Sequence, residues 1–164
     1  MKYFIIIATM TFCIYIGYML SKRYKKRNNF FKAIVMLCQK FDVQINYSRD
    51  RVKMIFEGLD EKHKNQLYGI DKNYISYLNQ ENQLDKESLF KSISFLKEEE
   101  KDILFMFFKN LGRSDVESQS KEVKNFQSRF DELSITSSND MKKYGSIAIK
   151  LGIVAALFLA VVLI

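Results

Sequence analysis

Residues 3–27 read YFIIIATMTFCIYIGYML followed by SKRYKKR. The first part, Tyr3 to Leu20, carries no charge. As a helix rising about 1.5 Å per residue it spans about 27 Å, close to the roughly 30 Å hydrocarbon core of a bilayer. A cleaved export signal fits poorly, because Lys2 is the sole preceding charge and no small-x-small site follows. Lipidation of Cys13 is not expected either, since Thr11 and Phe12 stand where small residues would precede a modified cysteine. The run instead meets Lys22, Arg23, Lys25, Lys26 and Arg27. Residues 3–20 are therefore expected to form a transmembrane helix with a basic flank.

The same pattern returns in reverse order at residues 144–164. Leu151 to Ile164 (LGIVAALFLAVVLI) is uncharged but spans only about 21 Å by the same rise. Ile147, Ala148 and Ile149 make it long enough provided Lys150 snorkels its ammonium back to the headgroups. Lys142 and Lys143 precede it. Both basic clusters thus border the intervening region, residues 28–143, and the positive-inside rule places that region in the cytoplasm. Ala148, Gly152, Ala156 and Ala160 recur every four residues and would let a second helix approach closely. Membrane helices are also rich in Gly and Ala without that purpose, and the pattern alone does not choose.

The net charge of +7 looks like an invitation to nucleic acid. It is carried by Lys2, the five basic residues at 22–27, and Lys150, which leaves residues 28–143 neutral. A nucleic-acid binder carries its excess on the folded domain and this chain does not, so no nucleic-acid partner is expected. The chain has no Pro and six Gly in 164 residues, a scarcity of breakers that favours long helices.

Helical periodicity continues through the middle. Phe31, Ile34, Val35, Leu37, Cys38, Phe41 and Ile45 predict a helix over about 29–46. Ser48 is placed to cap a short one through Val52, Ile55, Phe56 and Leu59. Asp60 opens a third through Leu67, Ile70, Tyr74, Ile75 and Leu78, which Gly69 would kink or split. Asp85 opens a fourth through Leu89, Phe90, Ile93 and Leu96. A fifth starts near Lys97 and ends at Leu111, with Gly112 as its left-handed cap. Its apolar run Ile103 to Phe108 marks it as the most buried helix. Ser114, Asp115, Val116 and Glu117 read as a capping box for the last helix, whose spacing runs on to Tyr144 and Ile147. The expected fold is all-α: a cytoplasmic antiparallel bundle of about six helices between two transmembrane helices.

Chemistry is sparse. The single His63 lies between Lys62 and Lys64 and is read as a solvated surface residue; it has no Cys or His cluster to join for a zinc site or a triad. The glycines are too scattered for a phosphate loop. Both cysteines, Cys13 and Cys38, read as reduced packing residues. Glu98, Glu99 and Glu100 point 100° apart on a helix and cannot converge on one ion. With Arg113 and Asp115 they are the candidate partner-docking residues, the other reading being a solvated, helix-capping face. No catalytic residue, metal, cofactor or small-molecule substrate is expected, and the chain is not expected to be an enzyme.

Local sequence adds a family. Leu111-Gly112-Arg113-Ser114-Asp115, then Ser118-Gln119-Ser120-Lys121, Met141-Lys142-Lys143-Tyr144 and Leu151-Gly152-Ile153 before an apolar end resemble the stage III sporulation protein AB family. Ile45-Asn46-Tyr47 is similar to that family's first-helix end, although Ser48-Arg49-Asp50-Arg51 replaces its Gly and Thr-Pro. The resemblance implies a soluble domain like the F-type domain of type II secretion systems. It also implies membership of a channel complex in the mother-cell membrane around the forespore, as a platform for a cytoplasmic secretion-type ATPase, stage III sporulation protein AA. The competing class is a membrane-tethered helical adaptor or sensor unrelated to secretion.

Overall fold

The structure, a computed structural model, describes residues 2–47, 52–80, 84–112 and 115–163. Among these every element is helical and no strand occurs. The order is α1 (Lys2–Tyr47), α2 (Val52–Glu57), α3 (Glu61–Gln66), α4 (Ile70–Gln80), α5 (Lys86–Phe90), α6 (Glu98–Asn110), α7 (Val116–Asp140), a π-helical turn (Met141–Gly145) and α8 (Ser146–Leu163). Two compact units result: Asn29–Ser134, and a second built from Met1–Asn28 with Ile135–Ile164. The first unit ends at Ser134, within α7.

Several expected elements change length. The first helix does not begin at residue 29; α1 is continuous from Lys2, since Ser21 to Asn29 contain no Gly or Pro to stop it. The third is two helices. Tyr68 (φ 52°) and Gly69 (φ 89°) occupy the left-handed region in succession and break it into α3 and α4. The fourth stops at Phe90, and Ile93 and Leu96 enter the core from the turn that follows. Ser48 and Ser114, both expected to cap helices, lie outside the described residues.

Observed caps are carboxylates. Asp85 accepts from the Ser88 amide at 2.9 Å and its hydroxyl at 3.0 Å, and Asp115 accepts from the Ser118 amide at 3.1 Å. Asp115, one residue after the expected Ser114, therefore caps α7. Hydrogen bonds from the backbone and hydroxyl of Ser88 hold the Asp85 carboxyl below its ordinary range, and those from the hydroxyl and backbone of Ser118 do so for Asp115. Folded values below the unfolded ones make this stabilisation fully present above the ordinary carboxylate range and lost as pH falls through the lowered values.

The bundle core is aromatic. Phe107 on α6 packs edge-on against Phe41 of α1 and against Phe126 and Phe130 of α7. Phe56, Tyr74 and Phe108 make a second group beside it. The apolar run of α6 is not buried all round: Met106 is 55% exposed, so the helix presents Leu104, Phe107 and Phe108 inward.

One turn joins α6 to α7. Gly112 has φ 78°, and its amide donates to Gln119 Oε1 at 2.7 Å, while Asn110 Nδ2 donates to Glu122 Oε1 at 2.6 Å. Gln119 is buried and receives that amide.

Thermal melts test this turn. Gly112→Val puts a β-branched residue at positive φ, with its Cβ 3.2 Å from Val52 Cγ2, and should cost about 1–3 kcal/mol. Gln119→Leu removes the acceptor of the Gly112 amide at a cost of about 1 kcal/mol, and Gln119→Glu should recover most of it. Unchanged midpoints for the first two variants would show that the turn carries no stability. A second expectation concerns Cys38, whose thiol is pushed far up by burial and by the nearby Asp131 carboxylate. It should react with a maleimide only after denaturation.

Candidate membrane and assembly interface

Within the unit formed by Met1–Asn28 and Ile135–Ile164, two helical arms run antiparallel. As α1 is followed back from Arg27 through Tyr24 and Gly17 to Cys13, its partners advance from Asp140 through Tyr144 and Ala148 to Gly152. The approach is closest at the two glycines. A Cβ added to Gly17 would lie 2.6 Å from the Ala148 carbonyl oxygen and 3.3 Å from Gly152 Cα. One added to Gly152 would lie 2.9 Å from the Cys13 carbonyl oxygen. Backbone that close leaves no room for a side chain. Ala156 is buried and Ala148, Gly152 and Ala160 are half-buried. The small-residue stripe of α8 thus includes the residues that meet α1. Gly17, its counterpart, was not singled out from sequence, because a lone glycine in an apolar run has no local signature.

The outside of the arms is apolar. Phe4, Ile7, Phe12, Tyr15 and Tyr18 on α1, and Leu151, Val154, Leu157, Phe158 and Val161 on α8, are all more than half exposed. Water does not favour so continuous an apolar surface. Among the described residues one helix, Val116–Val162, is long and apolar enough to cross a membrane, with a mean hydropathy of 2.3 over its most apolar stretch.

Polar groups close the base of the arms. Arg27, one of the five basic residues expected to flank the membrane, is instead buried and donates to Asp140 at 2.7 Å. Asn28 Nδ2 lies 3.6 Å from Met141 Sδ, and the Tyr24 and Tyr144 rings stack with centroids 6.0 Å apart. The π turn holds Lys142 and Lys143 exposed and Gly145 buried. Such a turn inserts an extra residue into the helix. Lys22, Arg23, Lys25 and Lys150 are exposed and Lys26 is half-buried. Lys22 and Lys143 lie over the rings of Tyr18 and Tyr144.

The candidate docking residues separate. Glu98 is held by Lys101 at 2.7 Å and Lys86 at 3.3 Å, and these two cations, Lys101 first, keep its carboxyl below the ordinary range. Glu99 is exposed. Glu100 is buried, its carboxylate accepting from the Lys97 amide at 2.9 Å, so it belongs to the N-terminal cap of α6 and not to an outer face. Asp115 is engaged as a cap, and Arg113 lies outside the described residues. His63 is not free in solvent; its Nδ1 pairs with Asp60.

Replacing either hairpin glycine tests the packing. Gly17→Leu and Gly152→Leu should each lower the melting temperature of the detergent-solubilised protein by several degrees, while Lys150→Gln should leave it within about 0.5 kcal/mol of the parent. Arg27→Ala leaves the half-buried Asp140 without its partner and should cost about 1–2 kcal/mol.

No curated protein sequence and no solved structure matches the chain. The family model for stage III sporulation protein AB matches residues 2–164, which include the Gly112 turn, the α7 helix and both arms of the hairpin. On that match the chain belongs to the stage III sporulation protein AB family and is a sporulation protein.

Proposed function

We propose that this protein is a two-span membrane component of a sporulation-specific secretion or channel complex, non-enzymatic, whose helical bundle acts as a cytoplasmic platform for a secretion-type ATPase. The observation that carries the reading is the hairpin: two antiparallel arms joined at glycine contacts, apolar on their outer surface, and continuous through α1 and α7 with the helices of the bundle. In lipid a helix satisfies its own backbone, and close small-residue contacts replace the hydrophobic effect as the source of association.

Charge supports the orientation. Lys22, Arg23, Lys25 and Lys26 follow one arm and Lys142 and Lys143 precede the other, so the basic flanks lie on the bundle side of both. Lys150 lies seven residues from Lys143, about 10 Å along the helix, within reach of the same headgroup layer. Platform function asks for no reacting groups. It asks for a folded surface held at the membrane, and a neutral, aromatic-cored bundle supplies one.

Topology is checked with Asn65→Cys in a background of Cys13→Ser and Cys38→Ser. A membrane-impermeant maleimide should label it only after permeabilisation, and labelling in intact cells would overturn the cytoplasmic placement. Deletion in a spore-former should block development after engulfment. Normal spores with altered stress responses would instead support an adaptor or sensor outside secretion.

A further inference from the structure

The α3–α4 turn borders a recess of about 470 Å³ on the bundle, walled by Tyr68 and lined by Glu57, Glu61, Lys64, Asp71 and Lys72. Its volume is in the range of specific binding pockets, roughly 300–1,000 Å³. Asp71, in the first turn of α4, is only 6% exposed, and its Oδ1 has no hydrogen-bond partner. A buried carboxylate oxygen without a donor is unfavourable, and natural proteins keep such groups where something else supplies the donor.

The chain's nearest cations are committed elsewhere or exposed. Lys64 Nζ donates to the Glu57 carbonyl oxygen at 2.9 Å and lies 4.0 Å from Glu61, whereas Lys72 stands exposed at the rim. Three carboxylates against two ammoniums leave the lining one negative charge in excess. Among the described residues no group of three or more His, Cys, Asp or Glu side chains is close enough to hold a metal ion, so these carboxylates do not form an ion site. What fits is an elongated cation with several donors and a flat apolar face for the tyrosine wall, which describes a guanidinium more closely than a strongly hydrated ammonium.

We propose that this recess receives an arginine side chain of a partner protein, with the Asp71 carboxylate as its acceptor. The inference rests on the reading of the bundle as an assembly surface and names the chemistry of the partner's contact.

The test is a titration of the full-length protein in detergent with the tripeptide acetyl-Gly-Arg-Gly-amide, followed by the amide resonances of Gly69 to Lys72. The same peptide with citrulline is the neutral, equally shaped control. Saturable shifts with arginine, and binding roughly tenfold weaker with citrulline, are expected. Asp71→Asn should abolish the difference between the peptides. Lys72→Glu, an exposed rim change that leaves the core untouched, should tighten arginine binding several-fold and keeps the test intact if the Asp71 variant fails to fold. Equal binding of the two peptides, or an arginine preference that survives in a folded Asp71→Asn protein, would overturn the proposal. Saturation by putrescine at lower concentration than by the peptide would overturn it too, by assigning the recess to a free polyamine. None of these outcomes depends on topology or on spore formation, so this inference and the platform reading fail separately.

Discussion

The bundle depends on Phe107. Its ring meets Phe41 from α1 and Phe126 and Phe130 from α7, so one side chain of α6 ties together the two longest helices. Burying such a ring is worth about 1.5–3 kcal/mol, and each well-placed aromatic pair adds about 0.5–1.5 kcal/mol. Leu104 and Phe108 lie on the same buried side of α6, and Tyr74, Phe56 and Phe108 fill the space beside it. The Gly112 turn matters because of this contact. It precedes α7, whose Phe126 and Phe130 meet Phe107 of α6, and Gln119 of α7 ties back to it by accepting from the Gly112 amide.

The hairpin solves a different problem with different residues. Large buried side chains hold the bundle together, whereas the two arms are held where small residues let helices approach closely. Glycine at 17 and 152 lets the backbones touch, and contact distance replaces side-chain volume as the quantity that matters. The α1 helix therefore reads as two sequences in one helix. Up to Leu20 most of its large side chains, Phe4, Ile7, Phe12, Tyr15 and Tyr18 among them, are exposed while Gly17 is buried. From Phe30 the large ones, Phe30, Phe31, Ile34, Leu37 and Phe41, turn inward.

Much of this was legible. Helix positions followed from apolar spacing, and the Gly112 and Asp85 caps from residue chemistry. What could not be read is instructive. Continuity of α1 across Ser21–Asn29 was missed because a charged stretch between two periodic ones looks like a linker, although each residue in it tolerates a helix. Glu100 looked like its neighbours until the cap drew it inward. Asp71 gave no signal at all: Ile-Asp-Lys-Asn is an ordinary amphipathic start, and only the left-handed pair at Tyr68 and Gly69 turns that aspartate into the interior. Such outcomes belong to tertiary packing, which overrides local preference.

Arg27 shows how one residue leaves one role for another at little loss. As a free charge it would have added to the basic run of Lys22, Arg23, Lys25 and Lys26. Buried against Asp140 it cancels the one acidic residue that directly precedes Lys142 and Lys143, so the basic character of that flank is undiminished. Acidic residues contribute little to orientation, and the exchange is close to neutral for topology. For packing it is not neutral. The pair sits next to the π turn, and a guanidinium with its donors fixed in a plane accepts few alternative placements of a carboxylate. A slip of one residue between the arms would turn Asp140 by 100° and take it from the buried Arg27 guanidinium, and it would also carry Gly152 away from Gly17. The ion pair at the base and the glycine contact midway along the arms therefore specify the same register, one through directed hydrogen bonds and the other through the absence of side chains.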